Sequence, residues 1–154
     1  MTITSSTDTL TTVTVGGEFR EVTINSTSIT DVTTSGEITD LDITGANIDD
    51  ITIGHTYLPY DTAATIAVQN TDIADLDMSS VGKVKSITLT GNDNLASLDA
   101  PSSTVLAEPA AVIAVTLGTN SFTANYTDGV VASETENSAL PSISSPEIHK
   151  LINW

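Results

Sequence analysis

Apolar residues recur along this chain in a short unit: an apolar residue, two others, a second apolar residue, one other and often a third. The unit occurs as Phe19, Val22, Ile24; as Ile29, Val32; as Ile38, Leu41, Ile43; and as Ile48, Ile51, Ile53. Its starts at 19, 29, 38 and 48 lie nine or ten residues apart. After an interruption at Tyr57-Leu58-Pro59-Tyr60 it returns as Ile73, Leu76, Met78, then Val84, Ile87, Leu89, then Leu95, Leu98, with starts eleven residues apart. The second and third apolar positions are separated by one residue, the period of a short strand with one face buried. Between the strands stand turn formers, in Thr34-Ser35-Gly36, Thr44-Gly45-Ala46-Asn47 and Thr90-Gly91-Asn92-Asp93-Asn94, where Gly and Asn tolerate the positive φ of a sharp corner.

A repeat of this kind predicts stacked rungs, because one short rung cannot bury its apolar face without its neighbours. A period near ten is too short for one circuit of a coil, since leucine-rich units take about 20–29 residues. Two forms follow, both all-β. Either two units make one coil, giving a short β-solenoid, or three chains each supply one side of every layer, giving a trimeric β-prism. The second form motivates the expectation of a homotrimer.

The ends depart from the repeat. Residues 1–18 are Thr-rich and extended, suited to a first strand or to an arm that pairs with a neighbour. Residues 19–109 hold the rungs. Over 110–131, Ala111–Leu117 and Ser121–Tyr126 flank a Gly118-Thr119-Asn120 turn and read as a hairpin that caps the stack. Residues 132–154 read as a linker and a docking tail. After Pro146, the tail gathers Ile148, Leu151, Ile152 and Trp154 within two helical turns, an apolar group expected to dock on a neighbouring subunit or on its own domain.

Composition agrees with strands, since Thr, Ile and Val are stiff at χ1 and favour the pleated sheet. The chain has 154 residues, enough for one module with its own core. It has no cysteine, so neither a disulfide nor a thiolate site is available. Asp and Glu total 20 against 4 Lys and Arg, a net charge of −16. Nucleic-acid binding requires clustered cations to replace counterions, and none occur here. Anionic membranes are disfavoured for the same reason. No apolar run approaches the length of a membrane span, and the start lacks the basic and apolar regions of a signal peptide.

Residues 43–59, from Ile43-Thr-Gly-Ala-Asn-Ile-Asp-Asp-Ile-Thr-Ile-Gly54 to Pro59, resemble a stretch found in many bacteriophage fibre and virion-surface proteins. There an I-x-G/N-x-x-I-D-x-x-x-I-G string is followed shortly by Pro. Tyr57-Leu58 departs from the Thr or small residues usual in that pattern. Residues 73–101 look like one or two rungs of leucine-rich or receptor-L-type solenoids, without their flanking cysteines. Both resemblances imply a β-helical architecture. The first implies a structural protein on a virion surface, a capsid decoration (cement) or short fibre subunit whose partners are itself and a major capsid or other virion protein. A cell-surface adhesin that binds glycan or ions is the alternative.

The position before the second apolar residue of the unit is acidic five times, at Glu21, Asp31, Asp40, Asp50 and Asp75. Rungs stacked in register would bring such carboxylates to about 4.8 Å per layer, where like charges repel unless solvent, protons or a cation intervene. Asp31, Asp40, Asp50 and Asp75 are therefore candidate Ca2+ ligands, with Asp42, Asp49, Asp72, Asp77 and Asp99 nearby. The competing reading is a solvated acidic edge, favoured by the lack of an EF-hand loop or a Gly-Gly-x-Gly-x-Asp nonapeptide. His55 and His149 have no metal-binding spacing. No nucleophile elbow, P-loop or dinucleotide fingerprint occurs, so no catalytic residue and no cofactor is expected.

Overall fold

The computed structural model of the chain describes residues 1–6, 10–55, 64–79, 81, 84–99, 110–117, 120–127, 130–136 and 142–144. Twelve strands follow one another: β1 (Thr2–Ser5), β2 (Thr12–Ser26), β3 (Asp31–Thr44), β4 (Asp50–His55), β5 (Ala64–Gln69), β6 (Asp75–Asp77), β7 (Val84–Thr90), β8 (Ser97–Asp99), β9 (Ala110–Leu117), β10 (Asn120–Thr127), β11 (Val130–Glu136) and β12 (Ser142–Ser144). Among the described residues there is no helix, and the parallel strands form a β-solenoid of about four turns.

The register shows how the repeat closes. Val13 stands beside Val32, and Val32 beside Ile51, so a coil returns to its starting place after 19 residues. That is two repeat units in one chain. The solenoid form is thus the one adopted, and no second chain is needed to complete a rung. The homotrimer expected from the ten-residue period loses that ground. Its other ground, the tail residues Ile148, Leu151, Ile152 and Trp154, lies outside the described residues.

Successive units alternate between two parallel stacks. The first stack joins β1, the second halves of β2 and β3, then β5, β7 and β9. The second joins the first halves of β2 and β3, then β4, β6, β8 and β12. In the first stack Val22, Leu41, Ile66, Ile87 and Ile113 form one inward ladder, and Ile24, Ile43, Val68 and Leu89 another, all buried. The leading residue of each unit sits where one stack turns into the other; Ile29, Ile38, Ile48, Ile73, Val84 and Leu95 are buried there, and Phe19 partly so. Each full burial of a Val, Ile or Leu side chain contributes roughly 1.5–3 kcal/mol, so the ladders supply the main favourable term.

β2 and β3 are long because each runs through a corner as an unbroken strand. Gly17 (φ 123°) stacks on Gly36 (φ 101°) there. A Cβ on Gly36 would meet the Gly17 backbone, its nitrogen lying 2.8 Å away. Only glycine fits both the left-handed conformation and that approach.

One rung escaped the pattern. β5 brings Ile66 and Val68 into the first stack between Leu41/Ile43 and Ile87/Leu89. Ala64 lies opposite Val84 and Thr65 opposite Ser86, so β7 carries one extra residue, Lys85. β5 thus has a spacing of two from Ala64 to Ile66 where the other units have three, which hides it from a search for the longer spacing.

At the C-terminal end the expected hairpin is present as β9 and β10, paired antiparallel through Asn120 and Leu117. β9 is also the last parallel strand of the first stack. β11 adds antiparallel to β10, and β12 pairs parallel with β8, placing Ile143 beside Leu98. Both lie at least partly in the stretch read as linker. The polar Val130–Glu136 sequence and the three-residue Ser142–Ser144 segment have too little alternation to announce strands.

Candidate functional site

The alternation of units splits the acidic series in two. Glu21 stands beside Asp40 in the first stack, and Asp31 beside Asp50 in the second. Thr52 pairs with Asp77, and the same register brings Asp75 next to Asp50. Asp77 in turn stands beside Asp99. A single five-membered ladder therefore does not form, because a period of one unit is half a coil.

Two concave surfaces result. Asp31, Asp49, Asp50, Ala74 and Asp75 line one, on the second stack. Glu21, Asp40, Asp42, Thr65 and Ala67 contribute to the other, on the first stack. Three of the four candidate metal ligands, Asp31, Asp50 and Asp75, thus share a surface, and Asp40 faces elsewhere. Asp49 joins the three from the corner before β4.

Several of these carboxylates have partners within the chain. Thr30 Oγ1 donates to Asp31 Oδ2 at 2.6 Å. Ser97 Oγ on the next rung donates to Asp75 Oδ1, and Asn94 Nδ2 donates to Asp72 Oδ1. The hydroxyl of Ser79 and its backbone N–H, the latter at 2.8 Å, hydrogen-bond Asp77 and hold its carboxyl below the usual carboxylate range. Asp42 Oδ1 is buried without a hydrogen-bond partner. Among the described residues no group of three or more His, Asp or Glu side chains has the geometry to hold a metal ion. His55 ends β4 with its backbone beside Gly36, and His149 lies outside the described residues.

The polar residues that most constrain the fold are ones the repeat did not reveal. Asn92 is buried at a corner, where Oδ1 accepts from the Thr71 N–H at 2.9 Å and Nδ2 donates to the Val68 carbonyl at 2.9 Å. Ser26 occupies an earlier corner and accepts from the N–H groups of Ser28 and Ile29, both at 3.0 Å, while donating to the Ser5 carbonyl at 3.1 Å. In sequence both look like exposed turn formers. No signal short of the register distinguishes them.

No protein-family model matches the chain, and neither a curated protein nor a solved structure matches it.

Proposed function

We propose that the chain is a non-enzymatic structural protein of a bacteriophage virion surface, a capsid decoration (cement) or short fibre subunit. The observation that supports this reading most is the stack itself. Coils close on an apolar core, and the outward positions carry short polar side chains such as Thr14, Thr33, Thr52, Asp31 and Asp50. A rod of this kind is stabilised by contacts between neighbouring rungs and tolerates extension and decoration. A net charge of −16 favours solubility at high copy number and docking onto a basic surface, such as one offered by a major capsid protein. The resemblance of residues 43–59 to virion-surface proteins points the same way.

A cell-surface adhesin is the second reading, favoured by the acidic surface of Asp31, Asp49, Asp50 and Asp75, which suits ion-assisted attachment. The two readings separate on one experiment. The purified chain is mixed with intact phage capsids and, separately, with isolated cell envelopes, and each mixture is sedimented with and without Ca2+. Stoichiometric co-sedimentation with particles supports the virion role, whereas binding to envelopes alone refutes it.

A further inference from the structure

We infer that the N-terminal rung is a self-association surface, on which a second copy of this chain docks end to end across a two-fold axis. The rung consists of β1 in the first stack and Thr12–Gly17 of β2 in the second. The carbonyls of Met1 and Ser5 accept from Thr23 and Thr27 N–H at 2.9 and 3.2 Å. Backbone direction alternates along a strand, so Thr2 and Thr4 aim their N–H and C=O groups away from the solenoid. The Thr11 carbonyl accepts from Thr30 and Asp31 N–H at 2.8 and 3.1 Å, which turns Thr12 and Thr14 outward in the same way. Among the described residues no strand lies beside either edge.

Three further features single out this end. Natural sheet edges are blunted by Lys, Pro or bulges, yet Thr2–Ser5 and Thr12–Gly17 contain no charged residue and no proline. Met1 at 50% and Leu10 at 39% are the exposed large hydrophobic residues among those described, and both belong to this rung. Residues 1–20 hold Asp8, Glu18 and Arg20, a net −1 of the chain's −16. Two copies that meet here therefore do so where their mutual repulsion is weakest.

A second copy fits better than a head-to-tail stack. A two-fold axis across the end of a solenoid reverses strand direction, so identical edges meet antiparallel in both stacks at once and the assembly closes as a dimer. Among the described residues the opposite end offers no matching rung. There, among the described residues, the first stack is carried onward by β10 and β11, and the last strand of the second is the three-residue β12.

The test is the mass of the full chain by light scattering and sedimentation equilibrium at micromolar concentration. The expected value is twice the 16.0 kDa of one chain. Thr4→Pro removes an outward N–H that the fold does not use, so the circular dichroism spectrum persists while the dimer constant weakens at least tenfold. Thr4→Lys places a charge on each side of the axis and provides the same readout should the proline variant fail to fold. A monomer at 100-fold higher concentration, a trimer, open-ended growth with concentration, or a dimer indifferent to both variants would each overturn the inference.

Discussion

Asn92 Oδ1 accepts two hydrogen bonds from Thr71, one from its backbone N–H at 2.9 Å and one from its hydroxyl at 2.8 Å. The same side chain donates to Val68, so one buried amide ties together three backbone or hydroxyl groups of the neighbouring coil. Asn92→Ala strips these partners of their hydrogen bonds in a dry corner and is expected to cost about 3 kcal/mol. Chemical denaturation measures it as a lower midpoint with an unchanged slope. Asn92→Asp replaces the donor by a buried charge and costs more.

Thr34 illustrates the opposite case. It occupies the inward ladder Val15–Thr34–Ile53, fully buried, and its hydroxyl has no hydrogen-bond partner. Valine has nearly the same shape and no polar group to desolvate. Thr34→Val is therefore expected to stabilise the chain by about 1 kcal/mol, read as a rise in thermal midpoint. A fall would mean that the hydroxyl finds a partner in solution.

The contrast between these residues marks what a sequence of this type discloses. Inward positions such as Val22, Leu41 and Ile87 declare themselves by spacing, because the pleat forces every second residue inside. Thr34 is chemically ambiguous, since Thr is common on both faces of a strand, and Asn92 carries the signature of an exposed turn. The Ile66 rung is concealed because β5 has one residue fewer than β7 before its second apolar position. The acidic series was legible as a repeat, but not as two ladders. Whether residues ten apart stack or lie on opposite sides depends on how many units close a coil, and local spacing does not contain that number. The pairing of β12 with β8 joins residues 45 positions apart across the β9–β11 meander, beyond any local pattern.

The Gly17–Gly36 corner is intolerant of any side chain. Gly36→Ala meets both a left-handed φ and the backbone of Gly17. The expected loss is about 2 kcal/mol or more, compounded because β2 and β3 must both shift. Gly54 lies one residue before the equivalent place in β4, and a Cβ added there would sit at an ordinary 3.6 Å from the Thr34 carbonyl. Gly54→Ala should therefore be nearly neutral in the same denaturation assay.

Asp31 and Asp50 stand side by side on adjacent parallel strands, and like charges in that relation repel. Asp50 is exposed, so the repulsion is screened by salt. Asp50→Asn is expected to raise stability by about 0.5 kcal/mol at low ionic strength. The gain should vanish near 1 M NaCl, where the Debye length falls to roughly 3 Å. If millimolar Ca2+ raises the wild-type midpoint well beyond an equal ionic strength of NaCl, and Asp50→Asn abolishes that increment, the second acidic surface binds the ion. Equal effects of the two salts leave it a solvated edge.

Asp77 sets an acid-side dependence of stability. Hydrogen bonds from Ser79 favour its ionised form in the folded state and lower its affinity for a proton relative to the unfolded chain. The unfolded state then binds the proton more readily as pH falls. The stabilising contribution is complete above the ordinary carboxylate range and is lost progressively below about pH 4, as the folded group itself titrates. Asp77→Asn isolates this contribution. Relative to wild type the variant should be less stable at neutral pH, and the difference should shrink toward pH 2. A Ser79→Ala variant should raise the Asp77 pKa, measured by carboxylate NMR titration. An unchanged titration in Ser79→Ala would show that the Ser79 hydroxyl does not hold the charge, leaving the backbone N–H alone.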